Sequence, residues 1–568
     1  MINIRRSLYE HLEKGRSDLG VKAVDDTTGW RAMESSLFAL ASFFDVTPDV
    51  TMTSESLHPI LLPFLPCIKQ EIECNKLLQV VEASCVDHVN RHVRAAGLSA
   101  LDRIISKCPS HLLSEDATLF KLLNNTISIS LADNWSQVRM AASVTCRTLF
   151  MKLDAEQRPL FYPKLLPRMC LNRFYLAQGV KLYSHDTWKQ VLGSDGLMQV
   201  AFNIGPIVRY YIKMADADNH VVREAACQAI AELATKVGTH ESYAERLEPF
   251  VHALLQALVM CFYDESWPVR DEACLACGLF VKAYPAYCKQ NPESLNELIS
   301  LWFLNLMDPI WSVREDAAIA LANALSAFED DDVHFLLDPI LAILDERLLK
   351  AKDQPAMTQA QYLQMQNDID KHTNNQLYSC GSLAPKLKKG KKHTGGCSDC
   401  IVDRPPHAWE MSDGCLYLLR ELFLLQNNIL TQTQQIHYLQ LAFKVCDEAR
   451  HFPQSDDLRQ TLWRVLPPIC NALGKKYVKQ KLLHMFLPML VQNVTSKSSS
   501  SLSMHAANHC IVDISTLVGR GILLGRIEYD DRDFVSRVLD EAKYNQHVSA
   551  GSSIVGSFSP FGLAILNV

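Results

Sequence analysis

Residues 218–233 read DNHVVREAACQAIAEL, and this stretch decides the fold. Its small and apolar residues, Val222, Ala225, Ala226, Ala229, Ile230 and Leu233, recur at i, i+3, i+4, i+7, i+8 and i+11, which is one face of an α-helix. Alanine dominates that face, so a neighbouring helix can come close. Asp218 and Asn219 stand just ahead of it, where a short polar side chain can accept hydrogen bonds from the free N–H groups of the first turn. Arg223 follows a valine at the start of the helix.

The same arrangement returns along the chain. It reads NRHVRAAGLSAL with Arg94, DNWSQVRMAASVTC with Arg139, DESWPVRDEACLACGLF with Arg270 and DPIWSVREDAAIALANAL with Arg314. A weaker copy, AQGVKLYS, is centred on Lys181. The basic residues thus stand at 94, 139, 181, 223, 270 and 314, with spacings of 45, 42, 42, 47 and 44. Upstream of each copy lies a more hydrophobic segment, such as LEPFVHALLQALVMCF at 247–262 or LNELISLWFLNLM at 295–307. Each pair of helices leaves apolar faces open until the next pair stacks on it, so several copies are needed before any is stable. A period of roughly 40–47 residues is that of stacked helical hairpins.

In Asp264, Val269 and Arg270, and again in Asp308, Val313 and Arg314, the chain resembles the HEAT/armadillo-type helical repeat superfamily. The resemblance covers about residues 80–350, extends more weakly to 28–70 through GWRAMESSLFALASFF, and resumes at 412–525, where AANHCIVDISTLVGRGI reads as a second helix. It implies an all-α superhelix, a HEAT/ARM-like solenoid with one long inserted loop. It also implies a ladder in which Arg94, Arg139, Lys181, Arg223, Arg270 and Arg314 pair with aspartates such as Asp264 and Asp308 of their own and adjacent repeats. It carries architecture and no activity.

Composition agrees. Hydrophobic residues make up 48% of the 568-residue chain and charged residues 21%, an ordinary globular mix, and a one-dimensional array escapes the usual limit on domain size. Only 22 glycines and 24 prolines argue against a turn-rich β protein and against disorder. The net charge of −7 makes nucleic acid an improbable ligand, since no basic surface long enough to track a phosphate backbone is apparent. The 18 cysteines scatter through helical patterns as small core residues, which suits a reducing cytoplasmic or nuclear setting. No signal-peptide core and no membrane-length apolar run is visible, so no membrane association is expected.

The register breaks after 350. Residues 351–411 lose helical periodicity and gain Gln, Asn, Gly, Lys and His, the pattern of an inserted loop. The expected organisation is an array over 1–350, the insertion over 351–411, further repeats over 412–545 and a flexible tail over 546–568. Ser412 or Asp413 is expected to cap the first helix after the insertion. SKSSSSLS, at 496–503, reads as a connector.

The strongest chemical signal lies in the insertion. Cys397 and Cys400 form a CxxC knuckle suited to tetrahedral zinc, with Cys380 upstream and His393, His407 or Cys415 available as a fourth ligand. A reduced flexible loop without metal is the preferred reading of the same residues, and a redox CxxC is disfavoured because no βαβ context surrounds it. PKLKKGKK, at 385–392, is a nuclear-import signal, an acidic-surface contact or a solvated linker. Trp135, Trp267 and Trp311 stand three or four residues ahead of a repeat arginine, as anchors for a partner or as plugs between repeats. No phosphate-binding loop, zinc-protease motif or nucleophile elbow occurs, and no catalytic residue or cofactor is assigned. The expected function is a non-enzymatic scaffold or adaptor whose curved surface binds extended or helical protein segments within a larger complex. Such proteins include phosphatase scaffolds, importin-like carriers and tubulin-binding arrays. A nucleic-acid-associated or zinc-stabilised regulatory subunit is the alternative.

Overall fold

A computed structural model describes residues 30–45, 81–328, 333–367, 405–425, 429–496 and 499–551. The described residues are all-α, with no strand among them. Its contacts divide it into two compact units, which meet in sequence at residues 292 and 293.

In the first unit the principal helices are α1 (Trp30–Asp45), α2 (Arg91–Lys107), α3 (Ala117–Ser130), α4 (Ser136–Lys152), α5 (Arg158–Asn172), α6 (Gln178–Val191), α7 (Ile204–Ala215), α8 (His220–Lys236), α9 (Val251–Phe262) and α10 (Trp267–Ala283). They form two layers. The first helix of each pair packs on the next along α3, α5, α7 and α9. The second helices pack along α1, α2, α4 and α6, and then α8 along α10, but α6 and α8 do not lie face to face. The helical face read from 218–233 is the buried one: Val222, Ala225, Ala226, Ala229, Ile230 and Leu233 are all in the core. Each such apolar side chain contributes roughly 1.5–3 kcal/mol, less for alanine, whose value here is close approach. Asn219 caps α8 by accepting from the Val221 N–H at 3.0 Å.

The second unit continues with α11 (Pro292–Asn305), α12 (Trp311–Leu325), α13 (Val333–Arg347), α14 (Gln359–Asn367), α15 (Ala408–Leu424), α16 (Gln432–Glu448), α17 (Ser455–Leu473), α18 (Leu483–Thr495), α19 (Ser501–Val518) and α20 (Tyr529–Gly551). Its second helices run α12, α15, α17, α19 in one layer. Residues 293–350 therefore group with the chain after the insertion, rather than with the array expected over 1–350.

Three local expectations are corrected here. Gln359–Asn367 is helical although it has no apolar face. The helix after the insertion starts at Ala408, not beyond Ser412, because His407 caps it and its N–H donates to Glu410 Oε2 at 2.7 Å. Ser412 and Asp413 are buried inside that helix. Finally, α20 carries the helical backbone through Gly551, past the tail boundary expected at 546. Among the described residues no helix is long and apolar enough to cross a membrane.

Candidate functional site

The repeat arginines sit at equivalent places, four residues into each second helix or close to it, and their partners differ from copy to copy. Arg94 donates from Nε and Nη2 to the Asp133 carboxylate at 2.8 and 3.0 Å, while Nη1 donates to the carbonyls of His88 and Val89. Arg223 repeats this arrangement. Its Nε and Nη2 reach Asp264 at 2.6 and 2.7 Å, and Nη1 reaches the carbonyls of Ala217 and Asp218. Arg270 donates to the carbonyls of Asp264 and Glu265 at the turn. In the second unit Arg314 donates to Asp413 Oδ2 at 2.9 Å and to the carbonyls of Asp308 and Pro309. Each arginine thus ties the turn before its own helix, and at Arg94 and Arg223 a bidentate carboxylate links one repeat to the next. Asp308 also accepts from the Ile310 N–H at 2.8 Å, closing its own turn.

Two copies depart from this. Arg139 has no carboxylate partner; its Nη1 donates to Asn172 Oδ1 at 2.6 Å and its guanidinium lies 4.2 Å from the Tyr175 ring centre. Burial lowers the Arg139 pKa, with the tyrosines and Asp133 opposing. Lys181 makes no hydrogen bond or ion pair through its side chain among the described residues. The residue six places before each repeat arginine explains this. It is His at 88, Asp at 133, 264 and 308, Tyr at 175 and Ala at 217, and since each basic residue meets the next copy's residue at that place, Lys181 faces Ala217, which offers no side-chain acceptor.

The charge of Lys181 acts instead on Glu224 and Glu272, at the starts of α8 and α10. Both acids are half-buried in the second-helix layer. Burial, then the neighbouring Glu272 and Asp271, pushes Glu224 up to about 8, with Lys181 opposing. Burial pushes Glu272 up to about 7, against the Gln228 hydrogen bond and Lys181. Gln228 Nε2 donates to Glu272 Oε2 at 2.7 Å, joining α8 to α10 across this surface. Leu182, 59% exposed, stands beside Lys181 in sequence. The result is a surface on which a lysine of α6 faces carboxylates of α8 and α10.

Of the turn tryptophans, Trp135 is 36% exposed and Trp311 45% exposed, and Trp267 is half-buried. Two carry an arginine over the ring: Arg91 lies 4.3 Å from Trp135 and Arg464 lies 5.2 Å from Trp311. The described cysteines are buried, and burial pushes thiols such as Cys108 and Cys415 up to about 12. Cys380, His393, Cys397, Cys400 and the lysine run at 385–392 lie outside the described residues.

Sequence reading missed Asp133, Asn172 and Asp413 as partners. Asp133 carried a signal, six residues before Arg139, like Asp264 before Arg270. Asp413 carried none, because it lies 99 residues from Arg314 across the insertion.

No family model matches the sequence, and no curated protein matches it. Among solved structures, importin beta from an ammonium sulfate condition aligns with 92% of this chain and 58% of its own, at 14% identity and a TM-score of 0.37. Kap121p bound to Nup53p aligns with 97% of this chain and 52% of its own, at 13% identity and a TM-score of 0.44. An engineered protein aligns with 90% of this chain and 99% of its own, at 12% identity and a TM-score of 0.31. The chain spans little more than half the length of importin beta and of Kap121p, and superpositions this loose carry no assignment of their partners to it.

Proposed function

We propose that this chain is a non-enzymatic scaffold or adaptor that grips a protein segment on the second-helix layer of its first unit. The observation that supports this reading is half-buried Lys181, whose charge reaches half-buried Glu224 and Glu272, with exposed Leu182 next to it in sequence and Gln228 joining Glu272 across the layer. Such a surface suits a segment with both charge signs and one or two apolar anchors. It suits a nucleic acid poorly, because a single lysine offers little to a phosphate backbone. Buried, high-pKa cysteines fit a reducing compartment, the cytoplasm or nucleus.

The experiment is affinity capture with the full chain as bait, followed by titration of the purified partner against charge reversals. Lys181→Glu, Glu224→Lys and Glu272→Lys are each expected to weaken binding by about 5–10-fold, the size of one interfacial charge contact of about 1–1.4 kcal/mol. Binding unchanged in all three, and lost on deletion of 381–400, would assign recognition to the insertion and reject the layer.

A further inference from the structure

Residues 505–513 read HAANHCIVD and lie in α19. His505, His509 and Asp513 follow at intervals of four, so they form a line along one face of the helix. All three are exposed, while Ala506, Ala507, Cys510, Ile511 and Ile514 are buried, in a helix that packs on α17 and α18. Packing of that opposite face fixes the rotation of the helix and keeps the two imidazoles facing solvent.

The Nε2 atoms of His505 and His509 are 3.1 Å apart, with the rings edge to face at 73° and their centres 4.4 Å apart. Two neutral imidazoles hold that distance when one Nε2 carries the proton and the other offers its lone pair. The same separation has a second meaning. If each nitrogen sat about 2.0–2.1 Å from one metal ion, a 3.1 Å spacing would subtend about 100° at the metal, between the octahedral and tetrahedral angles. The pair is therefore already at the bite of a chelate.

We propose that His505 and His509 form a bidentate site for a borderline divalent transition cation such as Zn²⁺, Ni²⁺ or Cu²⁺, with water in the remaining positions. Imidazole nitrogen selects these ions over Mg²⁺ and Ca²⁺, which take oxygen ligands. On binding, the proton on the donating Nε2 leaves to solvent and Nδ1 of that ring takes one up, so both Nε2 lone pairs face the ion. No net proton is released by neutral rings and nothing is oxidised or reduced. Asp513 stands one turn further on; burial raises its carboxyl and His509 pulls it back, so the two groups are within electrostatic reach. Among the described residues no group of three or more His, Cys, Asp or Glu is placed to hold a metal, so this is an open two-ligand site and not a closed structural one.

The test is calorimetric titration of Ni²⁺ into the full chain at pH 7.5, comparing wild type with His505→Ala, His509→Ala and the pair Cys397→Ser/Cys400→Ser. One equivalent is expected to bind wild type and the cysteine pair alike, and to bind either histidine variant at least tenfold more weakly. Co²⁺ bound at this site is expected to show no thiolate charge-transfer band. Alanine on an exposed helix face should leave the circular dichroism unchanged; His505→Gln and His509→Gln repeat the comparison if it does not. Equal Ni²⁺ affinity in wild type and both histidine variants, or loss of the equivalent in the cysteine pair alone, would overturn the proposal.

Discussion

Arg314 and Asp413 are only 3% and 1% exposed, whereas Arg94 and Asp133 keep 10% and 13% of their side-chain surface in contact with solvent. Equivalent ion pairs thus sit in different dielectric surroundings. Removing one partner of a buried pair strands the other charge, so Arg314→Ala should cost about 3–5 kcal/mol. Arg94→Ala leaves Asp133 reachable by water and should cost about 1–3 kcal/mol. Arg314→Met combined with Asp413→Leu should recover most of the loss, because it is the unpaired charge, and not the absence of a pair, that destabilises. Urea unfolding of the three variants checks the order, and an Arg314→Ala cost no larger than that of Arg94→Ala would refute it. The residue after Asp413 helps place it. A Cβ at Gly414 would stand 1.9 Å from the Leu306 carbonyl oxygen, so only glycine lets this part of α15 approach so closely.

At the scale of helices, the interest lies where the ladder lapses. Arg147 ties α6 to α4 through Thr187 Oγ1, the Tyr183 carbonyl and the Asp186 carboxylate. Packing and the Gln228–Glu272 bond tie α8 to α10. Between α6 and α8 neither device operates. Arg173, at the end of α5, bridges that seam by pairing with Glu232 of α8 while its guanidinium lies 4.2 Å from the Trp188 ring of α6. Arg173→Met should therefore cost about 1–3 kcal/mol and should do so locally. Amide exchange in α6 and the first turns of α8 should quicken, with α2 and α4 unchanged; an equal change in all four helices would contradict this. Much of this was legible in sequence. The period of the arginines located the second helices, including α6, whose Lys181 keeps the position but not the partner. Ala217, where an aspartate stands before Arg139, Arg270 and Arg314, was itself a visible sign of the gap. The role of Arg173 was not visible, because it belongs to no repeating position and its partner lies 59 residues on.

For the molecule as a whole, the insertion poses the sharpest question, since 368–404 separates two stretches of the same unit. The chain before and after it is joined many times over. The Ala351 N–H donates to Ser412 Oγ at 2.8 Å, Ser412 Oγ donates to the Arg347 carbonyl, and the Met357 N–H donates to the His451 carbonyl at 3.0 Å. His451 Nε2 meets the Gln354 carbonyl at 2.7 Å, Lys352 pairs with Glu448, and Arg314 pairs with Asp413. Beneath these polar links α15 packs along α12, burying Trp409, Leu416, Leu418 and Leu419. An interface with that apolar core and those polar links resembles a domain interior cut in half, which stays closed without a covalent tether. Chain connectivity adds an effective concentration, on the order of millimolar for a short linker, so cutting the chain within 368–404 should weaken the association without touching the contacts just named. A protease site placed at 386–392 should therefore yield two fragments that separate in denaturant but co-elute at micromolar concentration in native buffer. The nicked protein should also retain binding at Glu224 and Glu272, which lie in the other unit. Separation of the fragments without denaturant would mean that the contacts between α12 and α15 depend on the intact insertion, and the second-helix layer of this unit would then not be continuous by its own packing.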